Sequence, residues 1–258
     1  MDFAVADTDG GPVVVAIVSD GVSSAPRPDE ASFLAVRKGI TLLAEGAERG
    51  EDPGEVSKLA VKTAGQALND LVGPEGAAAT TYLSAIVSRE RITVCWLGDS
   101  RAYWLAGPPA ATGPNDTIDI SGGSQRLTRD DSLAEEIVAA GLATMDEAMA
   151  SPQAHVITRW LGADLPDPQA HVEQFSPTGP GVLLLCSDGL WNYRPEAAEL
   201  AALAMPAALT RPLAAATDLT RFALDSGGFD NITVVIIPFP PRPEGEAAET
   251  VSAPAVGS

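Results

Sequence analysis

Four aspartates in this chain stand where apolar runs give out. Asp20 ends "VVVAIVSDG", Asp188 ends "VLLLCSDG", Asp99 follows "ITVCWLG", and Asp230 directly precedes "NITVVII". A carboxylate at the end of a buried strand is costly if it stands alone. Several brought together repel one another and raise each other's pKa. A hard divalent cation answers both problems, because Mg2+ and Mn2+ take oxygen ligands and retain some of their water. Glycine follows two of the aspartates, as Gly21 and Gly189. Without a side chain, Gly21 lets the backbone approach, so that its carbonyl can serve as a further ligand. Taken singly, each aspartate reads more readily as a turn or cap residue, since Asp-Gly is a common turn pair. Two "SDG" ends after near-identical apolar runs weigh against that. Asp99 is held apart from the set, because in "GDSRAY" it could equally orient a turn or pair with Arg101.

Such aspartates need strands to hold them. "PVVVAIVSDG" (12–21) is a short β-branched run. Residues 29–48 place Phe33, Val36, Ile40 and Leu43 at helical spacing, and 54–72 do the same with Val56, Leu59, Ala60, Leu68 and Leu71. Strands are expected over 79–88, 91–97 and 100–106, with "SRER" as the turn of a hairpin. "GPPAATGPNDT" (107–117) is a loop by composition. Short helices fit 132–140 and 146–150, a strand 181–187, helices 195–204 and 207–226, and a last strand 231–237. From Pro238 the chain is rich in Pro, Glu, Ala and Ser, so a domain over 1–238 is expected, followed by a flexible tail, 239–258. No internal repeat is present. Strands and helices come in blocks and not in strict alternation, which predicts an α+β fold with antiparallel sheets inside and helices outside.

Composition narrows the function. The chain has 258 residues, 45% of them hydrophobic, and a net charge of −19 from 35 acidic against 16 basic residues. It is a poor non-specific binder of nucleic acid or anionic membrane and a better host for cations. Its two cysteines, Cys95 and Cys186, lie in apolar runs and are expected as buried free thiols, which fits a reducing cytosol. No secretory signal and no apolar stretch of about 20 residues is visible. A cytoplasmic monomer is the default expectation.

Eight segments, in order across about residues 2–237, resemble the bacterial form of the PP2C-type metal-dependent Ser/Thr protein phosphatases. They are "DFAVA", "VSDGVSS" leading to "DEAS", "ATTYLSAIV", "GDSRAYWL", "LTRDDSL", "ITRWLGAD", "LLLCSDGLW" and "GGFDNITVVII". The resemblance implies a four-layer α-β-β-α sandwich, two antiparallel sheets each flanked by a helix pair. It implies two ions of Mg2+ or Mn2+ in the cleft at the sheet ends. Asp20 would bridge both ions, Gly21 would ligate through its carbonyl, and Asp188 and Asp230 would complete the first site. A third ion would use Asp130, of "LTRDDS", together with Asp188. There His is replaced by Asp131, which could compete for the same ion. The implied reaction is direct attack on a phosphoserine or phosphothreonine by a metal-bridging hydroxide, with no phosphoenzyme. The implied partner is a phosphoprotein, such as the target of a bacterial Ser/Thr kinase. Neither His155 nor His171 reads as the proton donor, which leaves a metal-coordinated water for that task.

The sequence departs from the family pattern in two places. The family opens on a strand bearing a phosphate-binding Arg, then a "NED"-like triplet. Here Asp2 matches the triplet's last Asp, as an outer neighbour of the metals, Met1 takes the Glu position, and the Arg has no counterpart, as if the first strand were missing. In "DGVSSAPRPDEAS", Ser23 and Ser24 replace glycines, and Arg27 is a candidate for the lost phosphate contact, as Arg101 and Arg159 are to a similar degree, against the plainer reading of a solvated loop residue. Arg101 and Arg159 read as structural pairs, and Trp96, Trp104, Trp160 and Trp191 as packing. Hence a second functional reading stands beside the phosphatase: a weak or inactive pseudophosphatase that binds a phosphoprotein and regulates it.

Overall fold

The computed structural model describes residues 1–107, 123–162, 168–205 and 207–241. The first half runs β1 (Asp2–Thr8), β2 (Gly11–Val18), α1 (Pro28–Glu48), α2 (Pro53–Ala67), β3 (Ala79–Thr80), β4 (Tyr82–Val87), β5 (Ile92–Leu97) and β6 (Arg101–Ala106). Then come β7 (Gln125–Arg126), α3 (Leu133–Ala139), α4 (Met145–Met149), β8 (Leu161–Gly162), β9 (His171–Phe175) and β10 (Gly181–Cys186). The chain closes with α5 (Asp188–Trp191), α6 (Ala197–Ala204), α7 (Pro212–Asp225) and β11 (Val234–Phe239). One antiparallel sheet has the order β1-β2-β4-β5-β9 and the other β11-β10-β6-β7.

The strand residues explain the layering. In β2, Val15 and Ile17 pack under α1 and α2, with Leu43 and Val61, whereas Ala16 and Val18 face the second sheet. In β10, Leu183 and Leu185 meet Val18, Val94 and Trp96 between the sheets, whereas Val182 and Leu184 lie under α6 and α7, with Leu200 and Leu219. Successive side chains thus serve alternate layers. A sheet covered on both faces needs a continuous apolar run, as "VLLLC" supplies. The result is the expected four-layer sandwich.

The helices begin where local chemistry starts them. Pro28 and Pro53 sit in the first turns of α1 and α2, where a missing N–H costs nothing. Asp52 caps α2 by accepting the Glu55 N–H at 3.0 Å. Ser132 and Thr144 cap α3 and α4, the latter with a reciprocal bond from Glu147.

Several boundaries differ from the sequence expectation. The single strand over 79–88 is broken at Thr81, whose backbone and hydroxyl turn toward Asp20. The strand over 181–187 stops at Cys186, and Asp188 opens a helical turn. The helix over 54–72 finishes as a 3-10 turn at Leu68–Leu71, and Pro212 divides 207–226. β9, "HVEQF", lacks an apolar run because it is an edge strand with exposed residues. Most of the 107–117 loop, and the tail beyond residue 241, lie outside the described residues.

Register brings the aspartates to one end. Cys186 pairs with Arg101 on one side and with Val234 on the other. Asp188, Asp99 and Asp230 therefore all lie beyond the same edge of the second sheet. In the first sheet Val18 pairs with Leu83, and Tyr82 with Leu97, so Asp20 emerges beside the Gly98 turn that carries the chain from β5 to β6.

Candidate metal centre

Hydroxyls hold the backbone of Asp20. Its N–H donates to Thr81 Oγ1 at 3.0 Å, and its carbonyl accepts from the Thr81 N–H and from Thr80 Oγ1, both at 2.8 Å. Ser19 Oγ donates to the Thr81 carbonyl at 2.7 Å, and Thr81 Oγ1 meets Ser100 Oγ at 2.8 Å. Ser19, Thr80, Thr81 and Ser100 are all buried. With its backbone groups so engaged, Asp20 is fixed in place with only its side chain left to work.

The second "SDG" is built the same way. Ser187 donates from Oγ to the Asn231 carbonyl at 2.9 Å and accepts the Thr233 N–H at 3.0 Å. This staples the end of β10 to the segment that carries Asp230. The glycines after the two aspartates serve close packing. A Cβ on Gly189 would lie 2.4 Å from the Asn231 carbonyl oxygen, and one on Gly21 would lie 2.2 Å from that of Pro28. Gly189 thus lets the Asp188 turn press against the Asp230 segment, and Gly21 lets the start of α1 press against the Asp20 loop.

The carboxylates that result are electrostatically frustrated. Burial, then the charges of Asp188 and Asp230, push Asp20 up to about 7. Burial and the Asp230 charge raise Asp188. Burial, then Asp188, Asp130 and Asp20, push Asp99 up to about 8. Asp188 Oδ1 is buried with no hydrogen-bond donor aimed at it. Asp230 is exposed and accepts the Asn231 N–H at 2.7 Å. Among the described residues no three acidic, His or Cys side chains stand already gathered around one ligating point. What exists is a set of acids at one sheet end, one with an orphaned buried oxygen, short of positive charge. An all-oxygen donor set of this kind fits a hard divalent cation.

Asp130 and Asp131 stand differently. Asp130 is buried, and Arg101 grips it through Nε at 3.0 and 3.1 Å and Nη2 at 2.7 Å. The Arg101 guanidinium also lies 3.5 Å above the Trp191 ring. Any third ion at Asp130 must compete with this guanidinium. The alternative pairing of Arg101 with Asp99 is not made. Asp131 Oδ2 accepts the Gly98 N–H at 3.0 Å, and Oδ1 meets His171 Nε2 at 2.9 Å and Arg159 at 3.7 Å. His171 stacks on Trp96 with ring centroids 4.8 Å apart. Asp131 is thus bound into the Gly98 turn.

The remaining sequence expectations fall as follows. Arg27 has φ 52° and ψ 48°, a left-handed backbone, and grips Glu30 at 2.6 and 2.7 Å. Asp2 begins β1 and accepts the Phe3 N–H at 2.9 Å. His155 is exposed, with its ring 5.9 Å from Trp191, and its charge favours the ionised form of Asp188. Cys95 and Cys186 are buried free thiols, and burial pushes Cys95 up to about 12. Trp96, Trp104 and Trp191 are core residues. The sequence reading assigned no role to the hydroxyls of Ser19, Thr80, Thr81, Ser100 and Ser187. Their signal was hydroxyl residues inside otherwise apolar runs, directly beside the aspartates.

Comparison with known proteins identifies relatives of this chain. A profile of the protein phosphatase 2C family matches residues 2–221. Serine/threonine phosphatase stp of Listeria welshimeri is 32% identical over 240 residues, which is 89% of this chain and 85% of that protein. Among solved structures, the Mycobacterium tuberculosis serine/threonine phosphatase PstP/Ppp superposes with a TM-score of 0.68 at 26% identity, covering 91% of this chain and 90% of that one. The PPM Ser-Thr phosphatase MsPP of Mycobacterium smegmatis, in complex with cacodylate, gives 0.65 at 29% identity, with 91% and 90% covered. The PstP catalytic domain in complex with two manganese ions also gives 0.65, at 26% identity, with 91% and 89% covered.

Proposed function

This chain belongs to the protein phosphatase 2C family and is a metal-dependent serine/threonine protein phosphatase, and we propose that Asp20, Gly21, Asp188 and Asp230 hold two divalent ions at its sheet ends. The observation that carries the assignment is the pairing of Asp20, raised to about 7 by burial and then by the charges of Asp188 and Asp230, with the buried, unbonded Oδ1 of Asp188. A cation bound there would relieve both features. Mg2+ or Mn2+ bound there supplies the Lewis acidity that activates water for in-line attack and neutralises the phosphate oxygens.

The chain's own residues do the rest. Ser19, Thr80 and Thr81 fix Asp20 to the edge of the first sheet. Ser187 and Gly189 fix Asp188 against the Asp230 segment, and the carboxylates of Asp20, Asp188 and Asp230 lie within electrostatic reach of one another. Asp99 adds a fourth carboxylate within electrostatic reach. Arg27, in the loop whose Pro28 packs on Gly21, is the cation assigned to the substrate phosphate, and it must exchange Glu30 for phosphate to act. The substrate is a protein phosphorylated on serine or threonine, and a bacterial Ser/Thr kinase is the source that fits. We place the enzyme in the cytoplasm as a monomer. Among the described residues no helix is long and apolar enough to cross a membrane.

The test is hydrolysis of p-nitrophenyl phosphate and a phosphothreonine peptide with Mn2+, Mg2+ or EDTA, alongside calorimetric Mn2+ titration. The expected result is metal-dependent turnover that falls at least about 100-fold in Asp188→Asn, with weakened Mn2+ binding. Metal-independent turnover, or full Mn2+ affinity in Asp188→Asn, would remove the assignment.

A further inference from the structure

Phe229 is 91% exposed, the most exposed large apolar side chain among the described residues, and it directly precedes Asp230. A lone exposed apolar residue is ordinary on a surface. Phe229 is set apart by how firmly its position is defined. Its N–H donates to Tyr193 Oη at 3.2 Å. Tyr193 lies just past the α5 turn that Asp188 opens, so this bond ties the ring's backbone to both aspartate segments. Gly227 and Gly228 have φ of 147° and 57°. A Cβ on Gly227 would come within 2.8 Å of both Phe229 Cε2 and Tyr193 Oη. The ring therefore lies folded over Gly227, in space that only glycine leaves open. Leu224, 57% exposed, lies on the other side of the turn, 3.4 Å from where a Gly228 Cβ would be.

We propose that Phe229, backed by Leu224, is a substrate-positioning platform that receives an apolar side chain next to the phosphorylated residue of the protein substrate. This rests on the phosphatase reading of the Asp20–Asp188–Asp230 site. Phe229 is the residue next to Asp230, so the residues flanking a phosphoserine or phosphothreonine bound at Asp230 come within reach of its exposed ring. Asp20, Asp99, Asp188 and Asp230 lie within electrostatic reach of one another and disfavour an acidic neighbour, whereas Phe229, directly before Asp230, presents an exposed apolar ring. The ring's position is set in advance by the two glycines and Tyr193, so little ordering is needed when a substrate covers it.

The experiment compares two phosphothreonine peptides that differ only in carrying Leu or Ser on both sides of the phosphothreonine. The readout is the ratio of their kcat/KM values in the Mn2+-loaded enzyme, with p-nitrophenyl phosphate in parallel. The wild type is expected to favour the Leu peptide by about tenfold, the scale of burying one apolar side chain. Phe229→Ala is expected to bring the ratio close to one, and Phe229→Leu to retain most of it. A wild-type ratio near one, or a ratio that survives Phe229→Ala, would overturn the platform. A fall on p-nitrophenyl phosphate as large as on the Leu peptide would overturn it too, because the ring would then be serving the Asp230 loop. A wild type that hydrolyses neither peptide nor p-nitrophenyl phosphate would instead remove the phosphatase reading, and the platform with it.

Discussion

Two acidic loci lie close together in this molecule and are compensated in opposite ways. Around Asp130, Asp131 and Glu135 every buried carboxylate has a cationic partner within the chain. Arg101 holds Asp130, His171 and Arg159 hold Asp131, and Arg126 and Arg129 hold Glu135. Around Asp20 and Asp188 the described residues make no ion pair; burial and neighbouring carboxylates raise both acids, with only the exposed His155 and the Met1 amino group as positive groups within electrostatic reach. Burial of acids alone therefore does not mark a ligand site. The mark is burial without an ion pair, where the described residues leave charge for something else to neutralise. By that criterion the first locus is scaffold, which holds the Gly98 turn and the base of α3, and the second is where we propose that the metal ions bind.

The largest separation of the two loci is expected in stability without metal. Asp130→Asn would leave Arg101 charged, buried and uncompensated, with its guanidinium trapped over Trp191. Removing one member of such a pair costs about 3–5 kcal/mol. Asp188→Asn would remove a repelling charge and should leave the metal-free fold as stable as the wild type or more so. Urea unfolding in EDTA measures both. Equal destabilisation by the two substitutions would break the distinction.

A second, smaller effect follows from pH. The folded-state values of Asp20, about 7, and Asp99, about 8, lie above their usual 3.8, so the metal-free fold binds these protons more tightly than the unfolded chain does. Their contribution to stability is complete below about pH 4 and is lost as pH rises through 7 and 8. The metal-free melting temperature should therefore fall between about pH 5 and 8. Mn2+ should abolish most of that fall, and Asp20→Asn should flatten it in EDTA. The same slope with and without Mn2+ would show that the acids of the centre are not frustrated.

The ends of this contrast were unequally legible in the sequence. Asp20 and Asp188 could be read because a carboxylate and a glycine after an apolar run is a local pattern. Asp230 could be read from the strand that follows it. Asp99 could not, because a nearby arginine offered it a partner two residues away. Only the fold shows Arg101 turned to Asp130, 29 residues on, with Asp99 left to the acidic centre. His171 likewise finds Asp131 across 40 residues. The helices and apolar strands followed from periodicity, whereas β9 did not, since an edge strand needs no apolar run. The break at Thr81 was hidden for a similar reason: a threonine that serves Asp20 looks, in sequence, like any β-branched strand residue. Local pattern reveals which groups could act, and tertiary pairing decides which are already occupied.

Arg27 offers the finest test of that rule, because it is a cation near the centre whose partner is exposed. Its pair with Glu30 has side-chain exposures of 44% and 50%, against 6% and 4% for Arg101 and Asp130. An exposed pair contributes little, because water screens the charges and the side chains lose freedom in making it. It is thus a contact that a substrate phosphate can displace, unlike the grip of Arg101 on Asp130. The left-handed backbone at Arg27 costs a comparable amount in a residue with a Cβ. Arg27→Gly should therefore be close to the wild type in stability, since it loses the pair and relieves the backbone together. Arg27→Ala loses the pair, keeps the strain, and should be the less stable of the two. Both should raise KM for p-nitrophenyl phosphate severalfold with a smaller effect on kcat, as expected when a ground-state phosphate contact is removed. An unchanged KM in both would return Arg27 to the scaffold, and the cleft would then have to bind phosphate through its metal ions alone.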